Sequence, residues 1–197
     1  MTTNEKDTRG RIVAAAVETL RTDGYAGTTA RSIARTGGFN QGLIYYYFDD
    51  LDELLLAALD QASAERMDTY IDALPEIGSL SDLANVGLEL YKRDVKSGHA
   101  KLASEFMAAA LTKPELGPVI LSRLQPWSRL GTDAIERAMG ESPLKNVIPA
   151  DQLAKALVAL YIGLEMLYQL DGDESLAESL FGMVGALAPL VEKVINP

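Results

Sequence analysis

The chain has 197 residues, 48% of them hydrophobic and 23% charged, which suits one globular domain or a small domain docked on a larger one. It contains no cysteine and a single histidine, His99, so disulfides, thiolate metal sites and multi-histidine metal clusters are excluded. The net charge of −10 divides unevenly: residues 1–48 carry six basic against four acidic side chains and the remainder 12 against 24, so only the N-terminal part is suited to phosphate.

Helix is predicted throughout, because apolar residues recur at three- and four-residue steps and alternating β-branched runs are missing. Ile12, Val13, Ala16, Val17 and Leu20 form the first stripe, and Gly24 is its predicted stop. A second helix begins near Thr29, whose hydroxyl caps free N–H groups, and buries Ile33 and Ala34. Gly37 and Gly38 supply a corner, and a third helix runs from about Gln41 to Tyr47 with Asn40 as its cap. Asp50 and Glu53 open a fourth in the manner of a capping box, which carries Leu51, Leu54, Leu55 and Leu59 and ends before Pro75.

Ser79 or Ser81 opens a fifth helix that stops near Gly98, and a sixth spans His99 to Leu111 with His99 at the surface. Pro118 and Pro126 are expected to kink or split the segment from Pro114 to Met139. A loop from Gly140 to Pro149 precedes two long helices, about Asp151 to Leu170 and Glu174 to Val194, with Pro189 a possible kink site in the second. The opening MTTNEKDTRGR is too polar for a signal peptide, and Leu153 to Leu170 reads as too polar to span a bilayer. A cytoplasmic protein is the expectation.

Thr28-Thr29, Arg31, Ile33-Ala34, Gly38-Phe39, Gly42-Leu-Ile-Tyr45-Tyr-Tyr-Phe48 and Glu53-Leu54-Leu55 together resemble the N-terminal signature of the tetracycline-repressor-like (TetR) family across about residues 9–56. The resemblance implies an all-α protein. Residues 1–55 would be a three-helix helix-turn-helix DNA-binding domain, and 56–197 a helical ligand-binding and dimerisation domain. It also implies that Gln41, Gly42, Leu43 and Tyr46 face bases, that Tyr45 and Tyr47 point to phosphates, and that Arg31 reaches a guanine or the backbone. The residue chemistry is compatible: glutamine pairs with adenine edges, leucine touches thymine methyls, and the N–H groups after Thr29 suit phosphate. The family usually places a lysine at the start of the fourth helix, where this chain has Leu51 behind Asp49 and Asp50.

In the body, Tyr91, Phe106, Met107 and Trp127 are the candidate lining of the effector pocket that such a family implies. Glu105 and Glu165 stand inside apolar stretches. Val158, Ile162, Glu165 and Gln169 share a helical face, so Glu165 is expected to be buried and to need a partner: a ligand amine, an arginine of this chain, or a group across a dimer interface. The last two helices carry apolar residues on more than one face. In the first of them one stripe is Leu153, Leu157, Leu160, Tyr161, Leu164, Leu167 and Tyr168, and another is Val158, Ile162 and Met166. A second copy of the chain is the simplest cover, giving a homodimer that reads a palindromic DNA operator and responds to a small molecule. No catalytic residues, metal ligands or cofactor are expected, since neither a catalytic triad nor a glycine-rich phosphate loop can be assembled from these residues. The rival readings are an enzyme and a ligand-binding protein with a degenerate head.

Overall fold

The first apolar stripe folds as α1 (Thr3–Gly27) in the computed structural model, which describes residues 3–143 and 147–195. Ile12, Val13, Ala16, Val17 and Leu20 are all buried. Gly24 breaks the helix where it was predicted to, at φ 72° and ψ 175°, a conformation open essentially to glycine alone. Thr28 closes the turn, its hydroxyl donating to the Gly24 carbonyl at 2.6 Å.

Thr29 caps α2 (Ala30–Gly37) as expected, and a reciprocal box completes the cap. Thr29 Oγ1 accepts from the Ser32 amide at 3.0 Å while Ser32 Oγ accepts from the Thr29 amide at 2.8 Å. Gly38 turns the corner at φ 66°. The third helix, α3 (Gly42–Tyr47), starts one residue later than expected, with Asn40 Oδ1 accepting from the Gly42 amide at 2.7 Å. Asp50 caps α4 (Leu51–Ala73) through the Glu53 amide at 2.8 Å, and Glu53 reaches back to the Asp49 amide.

A 3₁₀ turn at Leu74–Glu76 follows, then α5 (Leu80–Ser97) capped by Ser79, α6 (His99–Thr112) and α7 (Leu116–Met139). The predicted split of α7 is absent. Pro118 falls in the first turn, where an N–H has no intrahelical acceptor, and Pro126 frees only the carbonyl of Ser122, an exposed residue. Likewise α9 (Ser175–Ile195) passes through Pro189 without a break in the helix. It follows α8 (Ala150–Asp171) after a turn at Gly172. Among the described residues there are nine α-helices and no strand. The expectations for the His99 and Val194 side chains, and for part of the Gly140–Pro149 loop, lie outside the described residues.

One buried cluster joins head and body: Ile12, Leu20, Ile33, Ile44 and Phe48 are continuous with Leu54 and Ala58 of α4 and with Leu102 and Phe106 of α6. In the body α9 packs on α5, and α8 on α7 and α6. By length and composition α8 could cross a membrane, with a mean hydropathy of 1.4, so the reading that this segment is too polar to do so is not upheld. Its charged Glu165 is turned into the body instead. The proposed α8 stripes also need correcting. Leu164 is buried in a cluster with Tyr91 and Val95, while Met166 faces outward with Leu160, Leu167 and Leu170. Packing of α8 against two neighbours at once rotates its faces relative to a simple two-stripe count.

Candidate functional site

At the head, α3 is about 9 Å long, short enough to lie in a groove of double-stranded DNA. Ile44 and Phe48 anchor it from beneath, both buried. Tyr46 is 74% exposed and Tyr45 53%, large values for rings on a helix with two buried anchors. Gln41 and Gly42 are exposed beside them, and Leu43 and Tyr47 divide their surfaces between the head core and solvent. The Tyr46 and Tyr47 rings meet edge to face at 5.0 Å, which restrains both. Arg31 and Arg35 are exposed on α2, and the Arg9 guanidinium lies 4.5 Å over the Phe48 ring. The head therefore shows an aromatic, hydrogen-bonding face with cations on adjoining elements.

In the body, a cavity of about 490 Å³ opens among α4 to α8. Its wall is mainly apolar, with Met67, Leu83, Phe106, Met107, Leu130 and Ile162 among its residues. One polar cluster interrupts it. Arg66 of α4 donates through Nε and Nη2 to Asp94 Oδ2, both at 2.6 Å, and through Nη2 to Glu165 Oε1 at 3.1 Å. The hydroxyl groups of Tyr70 and Tyr161 also donate to Asp94. Three rings surround the guanidinium carbon: Trp127 at 4.7 Å, Tyr161 at 5.1 Å and Tyr70 at 5.5 Å. Trp127 is held by its indole N–H donating to Ser63 Oγ at 3.0 Å. Burial pushes the Glu165 carboxyl up to about 7 against the opposing pull of Arg66, with Asp94 adding to the rise.

Residues 12–58 match the family described as bacterial regulatory proteins, tetR family. The HTH-type transcriptional regulator BetI of Klebsiella pneumoniae (strain 342) is 29% identical over 182 residues, covering 87% of this chain and 89% of BetI. A TetR transcription regulator from Haloarcula marismortui ATCC 43049 superposes with a TM-score of 0.74 at 19% identity, over 94% of this chain and 98% of that one. The multidrug binding protein EbrR, complexed with imidazole, superposes with a TM-score of 0.63 at 26% identity, over 89% and 93%. Residues 12–58 are thus those of a tetR-family regulatory protein, and the chain as a whole is similar to TetR-type regulators. It is an all-α transcriptional regulator with an N-terminal helix-turn-helix DNA-binding domain.

Within the body the structure sorts the cavity candidates. Phe106, Met107, Trp127 and Glu165 line it. Tyr91 does not. It is buried behind the wall between α5, α8 and α9, edge to face with Tyr161 at 5.6 Å, and its hydroxyl donates to the Leu164 carbonyl. Glu105 is also elsewhere: it faces the α1 break and accepts from the Tyr25 amide, because the helix end at Gly24 presents that N–H to α6. Of the three partners proposed for Glu165, the structure supplies an arginine of the same chain.

Sequence reasoning missed Arg66 and Asp94. A signal existed for the first, since Leu55, Ala58, Ala62 and Arg66 are spaced as one face of α4 and the first three are buried. It also missed Tyr25, whose ring packs edge to face on Phe106 at 5.2 Å and whose hydroxyl lies 3.3 Å from Asp52. Lys113, the residue that caps the end of α6, binds the same Asp52 at 2.6 Å. A cavity residue, Phe106, is thus in contact with the end of α1, and Asp52 at the start of α4 is tied to α6.

Proposed function

We propose that this regulator is a homodimeric repressor that holds a palindromic operator and releases it when a small apolar or amphipathic effector enters the body cavity. Residues 1–55 act as the DNA-binding unit and 56–197 as the effector-binding and dimerisation unit. Gln41, Gly42, Leu43 and Tyr46 read bases, while Thr29, Asn40, Tyr45 and Tyr47 meet the backbone and Arg31 reaches a guanine or a phosphate. Phe106, Met107, Trp127 and Glu165 contact the effector. The two heads engage successive major grooves ~34–36 Å apart.

The observation that carries this reading is the run of α4: its first residues belong to the head, and Met67, Arg66 and Tyr70 further along line the cavity. An occupant that shifts α4 or α6 changes the angle of the head on the body. A tenfold loss of operator affinity needs only about 1.4 kcal/mol of differential binding between the two arrangements. EbrR, which resembles this chain over most of its length, is described as a multidrug binding protein, in keeping with an adaptable body cavity.

Selection of genomic fragments by the purified protein, followed by a screen for small molecules that release them, tests the proposal. An inverted repeat with half-sites about one helical turn apart is expected. Fragments selected without any shared sequence would overturn it in favour of a protein whose head no longer reads DNA.

A further inference from the structure

We infer that the effector is an amphiphile with a single positive charge, seated beside Glu165 and the rings of Trp127 and Tyr161 with its apolar part along the rest of the cavity. This rests on the cavity being the effector site. The charges in and behind the wall carry the argument. Asp60, Arg66, Arg123 and Glu165 line the cavity, and Asp94 lies directly behind Arg66. Asp60 and Arg123 satisfy each other through two parallel hydrogen bonds of 2.5 and 2.8 Å. That leaves one cation, Arg66, between two carboxylates that are 4% and 1% exposed by residue, Asp94 and Glu165.

Arg66 is committed mainly to Asp94, which takes both of its shorter bonds and the two tyrosine hydroxyls. Glu165 receives the longer share of a single Nη2 and a hydrogen bond from the Tyr161 hydroxyl, which is neutral and adds no positive charge. A buried carboxylate left short of positive charge is costly, and its elevated proton affinity is the sign of that shortage. An anionic occupant would add a third negative charge to the cluster, and a neutral one would leave the deficit in place. A monocation closes the balance. The surrounding rings favour the same choice, since Trp127, Tyr70 and Tyr161 already hold a guanidinium at cation–π distance.

The test is calorimetric titration of the full-length protein with n-octylammonium, n-octanol and n-octanoate, about one pH unit above the Glu165 value so that the carboxylate is ionised. The expected order is octylammonium tighter than octanol by roughly tenfold or more, with octanoate weakest. Glu165→Gln should bring the ammonium-to-alcohol ratio to about one while octanol affinity stays put, which also shows that the variant cavity is intact. Asp94→Asn, which leaves Arg66 to Glu165 alone, should lower the same ratio. Octanol or octanoate matching octylammonium would overturn the charge inference while leaving the cavity as an effector site. An undiminished ammonium preference in Glu165→Gln would overturn it as well. Failure of all three probes to bind would remove both this inference and the cavity's role.

Discussion

Glu165 shows what one buried acid does to the whole fold. Its proton affinity is ordinary in the unfolded chain, near 4.5, and rises to about 7 when folded. Folding therefore takes up a proton between those values, so the residue's contribution is most favourable below 4.5 and is lost as pH rises through about 7. Relative to the parent, Glu165→Gln should gain stability across that interval, by up to about 3 kcal/mol, and gain no more above it. Urea melts at a series of pH values measure this, and a difference independent of pH would contradict the burial argument. Leu51 is a second informative position, half-buried at the first residue of α4 beside two exposed acids, Asp49 and Asp50. Leu51→Lys should raise DNA affinity with sequence preference unchanged, and steepen the slope of log K against log salt by about one phosphate contact. Equal or weaker binding in a salt titration would show that this residue does not approach a phosphate.

At the level of helices, the joint between α1 and α6 depends on the glycine break. A Cβ at Gly24 would lie 2.8 Å from a Glu105 carboxylate oxygen, at a φ and ψ that other residues rarely adopt. Gly24→Ala is expected to cost about 1–3 kcal/mol from backbone strain and more from displacing Glu105 off the Tyr25 amide. Adding Glu105→Ala should relieve only the steric part, which chemical denaturation of the single and double variants can separate. The caps at Thr29 and Asp50 and the stop at Gly24 were legible in the sequence, and the cap at Ser79 was narrowed to that residue or Ser81, because each is decided within a few residues of chain. What lay beyond reading was long-range pairing. Glu105 meets an amide 80 positions away and Arg66 meets Glu165 99 positions away, so neither partner can be found from local spacing. Tyr91 was misplaced for the same reason: periodicity shows that it is buried but not on which side of α5 the cavity lies.

For the whole molecule, the telling feature is the outer surface of the last two helices. Leu160, Leu167 and Leu170 on α8 and Met183, Leu187 and Leu190 on α9 are exposed, a larger row of apolar side chains than a monomer usually leaves to water. Leu187→Glu, at a residue 57% exposed, should yield a folded monomer by sedimentation. Operator affinity should fall roughly a hundredfold or more, since each head would then bind alone. A dimer of unchanged strength would place the partner surface elsewhere. Finally, the chain contains one tryptophan, and that indole hangs over the Arg66 guanidinium with its N–H fastened to Ser63. The protein accordingly carries its own optical gauge. Any guest that pushes aside that guanidinium or loosens the Ser63 tether will alter the emission of a single fluorophore, so occupancy can be followed in unlabelled protein without first knowing which gene it controls.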